Sequence, residues 1–111
     1  MDVARLAVEV SSEKQASDVL LLDLRGISSF ADYFVICSAD STRQISSIAN
    51  DLERSLRGQG LRAHHREGKD SSGWVLLDFG DVIVHIFSPD QRAYYDLESA
   101  WPSAQQIVRI Q

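Results

Sequence analysis

A chain of 111 residues fits one domain, and a domain of that size buries roughly two-thirds of the surface its unfolded form exposes, enough for a core without disulfide or metal staples. The composition, 44% hydrophobic and 24% charged, is ordinary for a globular protein, and the lone cysteine, Cys37, has no partner for an internal disulfide. Eleven basic against sixteen acidic side chains give a net charge of −5. The clustered basic excess that displaces phosphate counterions is missing, which argues against direct nucleic-acid contact as the dominant activity. An acidic surface suits a basic protein partner, although mild acidity that only keeps the chain soluble is the plainer alternative.

The longest apolar runs, around 19–22 and 33–37, fall far short of the roughly 20 residues that cross a bilayer. Asp2, Glu9 and Glu13 near the start are unlike an acid-poor transit peptide. A cytoplasmic location is the expectation.

Along residues 1–15, Val3, Leu6, Ala7 and Val10 recur at helical spacing, with Asp2 able to cap the start. Residues 19–24 (VLLLDL) and 33–38 (YFVICS) are apolar on both faces and rich in strand formers, which predicts strands inside a sheet. The intervening RGISSFAD, with Gly26 and paired serines, predicts a loop. Ser41 and Gln44 form an S-x-x-Q capping box, after which Ile45, Ile48, Ala49, Leu52 and Leu56 line one helix face until Gly58 and Gly60. A short strand at 62–66 should run parallel to 33–38 through a right-handed crossover.

Residues 74–87 (WVLLDFGDVIVHIF) are the most informative stretch. Gly80-Asp81 is a two-residue hairpin signal with glycine first, as a type II′ turn requires. That turn opposes Phe79 to Val82, Leu77 to Val84 and Val75 to Ile86 on one wholly apolar face. The other face pairs Asp78 with Ile83, Leu76 with His85 and Trp74 with Phe87. An ionised Asp78 in a dry core would cost several kcal/mol, so this second face should be open to water near the turn. The alternative is a helix laid over the face, with His85 hydrogen-bonded inside. Ser88, Pro89 and Gln91 then start a last helix with Tyr94, Leu97 and Trp101 on one side and Tyr95 turned about 100° away, up to Pro102. The predicted order is α-β-β-α-β-β-β-α, an α/β (α+β) mixed sheet of about five strands with helices packed on it.

No catalytic constellation emerges. His64 and His65 are neighbours on a strand and point to opposite faces, and His85 lies elsewhere. Cys37 reads as a small core residue. Neither a G-x-S-x-G elbow nor a phosphate-binding glycine loop is present. The strand–turn–helix at 33–49 sits where a nucleotidyltransferase places its glycine-serine turn, yet no D-x-D or D-x-E pair lies in the strands that follow to hold two metal ions. An enzyme using Asp32, Asp40 and Asp78 in another arrangement, and a nucleotide-sensing module, are the competing readings.

The run FADYFVICSADSTRQISSIANDL, the REG at 66–68 and the block GWVLLDFGDVIVHIFSPDQRAYYDLESAW together resemble the ribosomal silencing factor (Iojap) family, over about residues 2–101. Ala39, where the family usually has glycine, and His64-His65 depart from its pattern. The resemblance implies a nucleotidyltransferase-like fold without the catalytic carboxylates, hence no enzyme and no cofactor. It also implies binding to large-subunit ribosomal protein L-fourteen, which sterically blocks the joining of the ribosomal subunits and represses translation when nutrients are short. A homodimer of the free protein stays open. By position, the family's interface tryptophan falls on Trp74, its acidic hairpin residues on Asp78 and Asp81, and its helix tyrosine on Tyr95. With Leu76, Gly80 and His85 from the same hairpin, these form the expected partner-binding set.

Overall fold

A computed structural model describes residues 2–111. Helix α1 (Asp2–Glu13) leads into strands β1 (Ser17–Asp23) and β2 (Tyr33–Ser38), then helix α2 (Thr42–Gly58) and the short strand β3 (His65–Glu67). The hairpin of β4 (Trp74–Asp78) and β5 (Val82–Phe87) follows, then helix α3 (Pro89–Tyr95), a 3-10 turn (Leu97–Ala100) and strand β6 (Gln105–Ile110). These strands form one mixed sheet in the order β3-β4-β5-β2-β1-β6. The β2–β5 pair is parallel and the other neighbours are antiparallel, so β3 and β2 do run in the same direction, with β4 and β5 between them.

Period-two alternation sorts the side chains onto two faces. Val19, Leu21, Tyr33, Val35, Cys37, Val75, Leu77, Val82, Val84 and Ile86 point to one face and pack with α1 and α2. The α2 residues that fill this layer are Ile45, Ile48, Ala49, Leu52 and Leu56, the stripe expected from the sequence. Its capping box is real but shifted at one end. Ser41 Oγ accepts from the Gln44 N–H at 3.1 Å, whereas the Gln44 amide oxygen accepts from the N–H of Asp40 rather than of Ser41. The Gln44 side chain also donates to the Gln15 carbonyl at 2.9 Å, tying the helix start to the α1–β1 connection. Cys37 is enclosed in this layer, and burial pushes its thiol up to about 12, far from a reactive thiolate.

Leu20, Leu22, Leu24, Phe34, Ile36, Ile83 and Phe87 face the other way and are buried, with Leu97, Trp101 and Ala104 packed against them, whereas Trp74 and Leu76 of β4 on this face are only half-buried.

Three expectations need correction. The sheet has six strands, because Gln105–Ile110 adds an edge to β1 and makes β1 an inner strand. The strand expected at 62–66 is only His65–Glu67. The last helix ends at Tyr95, because Asp96 adopts a left-handed conformation (φ 45°) and its N–H closes onto the Arg92 carbonyl. That break resets the helical phase, so Leu97 and Trp101 turn inward while Tyr94 points out, 77% exposed.

Candidate functional site

The hairpin pairs as its turn dictates: Trp74 with Phe87, Val75 with Ile86, Leu76 with His85, Leu77 with Val84 and Asp78 with Ile83. Gly80 takes φ +92°, the left-handed region that a type II′ turn demands of its first central residue. Asp78 reaches round that turn, its Oδ1 accepting the Gly80 N–H at 2.8 Å, so this carboxylate stays half-exposed and shapes the loop. Asp81 is exposed, and its carbonyl accepts the N–H groups of Asp32 and Tyr33 at 2.8 and 3.0 Å, clamping the loop before β2 to the hairpin tip.

The second sheet face is neither sealed nor bare. The Leu97–Trp101 segment covers it over β1 and β2, with Trp101 edge-on to Phe34 at a ring separation of 6.0 Å. Over β4 it stays open, and Trp74 and Leu76 are half-buried. Trp74 is held on three sides. Tyr95 lies 4.5 Å away between ring centroids and Phe87 4.9 Å, and the indole N–H donates to His85 Nδ1 at 3.2 Å. Tyr95 is itself 48% exposed, and Tyr94 stands edge-on to it at 5.0 Å. Trp74, Leu76 and Tyr95 thus floor a shallow groove of about 280 Å³, rimmed by Glu67, Ser72 and Gln91.

His85, expected among the surface contacts, lies beneath them at 3% exposure. It supports the patch and has no surface to offer a partner. Because the indole can only donate, His85 Nδ1 is an acceptor and the ring proton sits on Nε2, which has no hydrogen-bond partner within the described residues. The Phe34 ring stands edge-on to the imidazole at 4.6 Å. Burial lowers the His85 pKa from 6.5 to about 4, so the ring is neutral near pH 7. The unfolded chain therefore takes up this proton before the folded one does. The stability contributed by the neutral ring is whole above pH 6.5 and is lost as pH falls toward 4, by on the order of 3 kcal/mol. Urea midpoints should accordingly fall through that window, and a His85→Asn variant should show a flatter slope.

The carboxylates named for an enzymatic alternative do not converge. Asp32 and Asp78 lie at the hairpin-tip end of the sheet, whereas Asp40 follows the far end of β2, roughly 20 Å away along a strand of that length. Among the described residues no group of three or more His, Cys, Asp or Glu side chains is placed to hold a metal ion. Among the described residues no helix is long and apolar enough to cross a membrane.

Two exposed aromatics, Phe30 (58%) and Tyr94, were not singled out in the sequence as surface residues. Phe30 stands in a loop, where no periodicity assigns a face, and Tyr94 depends on the helix break at Asp96.

Fold and site together define a class: a small α+β domain with one sheet face packed under helices and the other carrying a partly open aromatic patch. The chain belongs to the ribosomal silencing factor family, since the model described as "Ribosomal silencing factor during starvation" matches residues 1–111. It is 42% identical to ribosomal silencing factor RsfS of Halalkalibacterium halodurans over 93% of this chain and 88% of that one. It is 37% identical to the chloroplastic protein Iojap of Zea mays over 89% of this chain and 43% of that one. A crystal structure of a protein from Chromobacterium violaceum superposes with a TM-score of 0.87 at 32% identity, covering 96% of this chain and 91% of that one.

Proposed function

We propose that this chain is a non-enzymatic silencing factor. It docks through the face around Trp74 onto ribosomal protein L-fourteen of the large subunit and thereby obstructs the small subunit. The observation that carries the reading is the state of Trp74: a large ring half-open to solvent and fixed in place by His85, Phe87 and Tyr95. Such a ring loses little freedom on binding, and fixed aromatic anchors at the centre of a patch supply most of the energy of protein interfaces. Asp78 and Asp81, at the tip of the same hairpin on a chain of net charge −5, favour a basic partner and raise the encounter rate. Leu76 and Tyr95 extend the apolar centre, and Gly80 shapes the turn that presents the two carboxylates.

Silencing by this route needs no chemistry. The factor acts by occupancy, and its effect follows the fraction of large subunits that carry it. Co-sedimentation with separated subunits tests the reading. The protein should travel with large and not with small subunits, should bind purified L-fourteen alone, and should bind more weakly as salt rises. Equal recovery with both subunits, or no binding to L-fourteen, would overturn it.

A further inference from the structure

We infer that the loop before β2, through Phe30, forms a second anchor for the same basic protein partner, an inference that rests on the docking face proposed above. Phe30 is the most exposed phenylalanine described in the chain, and it is not left to wander. Its ring packs at 6.1 Å from Phe34 and 6.0 Å from Trp101. Its N–H donates to Ser28 Oγ at 3.2 Å. Both ends of the loop are pinned, by the Leu24 N–H to the Asp32 carbonyl and by the Asp32 N–H to the Asp81 carbonyl, each at 2.8 Å. Ile27, 41% exposed, occupies the same loop.

This loop is joined to the Trp74 patch by an unbroken file of rings on one sheet face. Centroid steps of 6.1 Å from Phe30 to Phe34, 4.6 Å to His85 and 5.9 Å to Trp74 place the two outer rings less than roughly 17 Å apart. A standard interface covers about 800 Å² per partner, a footprint roughly 30 Å across, so one partner can cover both. The hairpin tip to which the Phe30 loop is pinned is acidic. Asp32 and Asp78 are half-exposed and Asp81 is exposed, and none of the three forms an ion pair among the described residues. Two fixed aromatic anchors with unpaired carboxylates at the hairpin tip beside one of them match a protein that offers apolar contacts next to basic side chains. A nucleic-acid backbone would meet like charge there.

The test measures affinity for isolated L-fourteen and for intact large subunits. Phe30→Ala should weaken both about tenfold, and Phe30→Leu, which keeps an apolar side chain, should recover most of the loss. Hydrogen exchange on the unmodified protein supplies a readout independent of any variant, because residues 25–32 should gain protection with L-fourteen alongside residues 74–78. Unchanged affinity of Phe30→Ala, or no protection of 25–32, would overturn the inference. A loss confined to intact subunits would overturn it as well, since the loop would then touch another ribosomal component such as RNA. If Trp74→Ala weakens L-fourteen binding and Phe30→Ala does not, the second anchor alone fails. If the unmodified protein does not bind L-fourteen, the docking reading fails with it.

Discussion

Replacing Trp74 with alanine is expected to cost at least about 2 kcal/mol of affinity for the large subunit, roughly thirtyfold. The substitution removes the ring that floors the groove and leaves His85 Nδ1 without its donor. It also frees Tyr95, whose ring lies against the indole. The fold should survive, because the flanking Val75 and Leu77 keep β4 in the helix-covered core and Trp74 itself is only half-buried. Co-sedimentation with large subunits, read beside a thermal melt, separates the two effects. Undiminished recovery of a folded Trp74→Ala variant would remove the tryptophan from the interface.

The second large effect is expected at Arg92, whose guanidinium is buried at the junction of α3, β1 and the Leu97–Ala100 turn. Its NH1 group donates to the Asp18 carbonyl and, at 3.0 Å, to Ser38 Oγ. Its Nε and NH2 groups donate to the two oxygens of Glu98 at 3.4 and 3.2 Å. Arg109 braces the same acids from β6, pairing with Asp18 at 3.0 Å. Arg92→Met preserves the apolar stem but strands these acceptors. Breaking a buried pair in this way costs roughly 3–5 kcal/mol, and about 2–3 is expected here because Asp18 and Glu98 stay partly solvated and within reach of Arg109. The melting temperature should fall by roughly 10 °C or more. Arg92→Lys should recover little, since an ammonium has three donors on one atom and cannot reach four acceptor atoms on three residues as a planar fork does. A melt within about 2 °C of the parent would show that the network contributes little.

The hairpin register was legible because a two-residue turn leaves no freedom in pairing, and every cross-strand pair follows from Gly80-Asp81 by counting. Helix α2 was legible for a similar reason: a capping box and a glycine pair bracket one apolar stripe. Strand β6 was not. Gln105, Gln106 and Arg109 interrupt its apolar pattern, as suits an edge, and its stability comes from pairing with β1. The end of α3 was hidden because Asp96, a non-glycine residue, takes a left-handed conformation there. Parity placed His85 on the same face as Trp74, but parity gives direction and not depth. Its burial depends on Phe34, Phe87 and Trp74 converging around it.

Steric silencing has one direct consequence. Purified large subunits incubated with this protein and then offered small subunits should form fewer joined ribosomes, in proportion to occupancy, while Trp74→Ala at the same concentration should leave joining intact. Normal joining of large subunits already saturated with the unmodified protein would contradict the account.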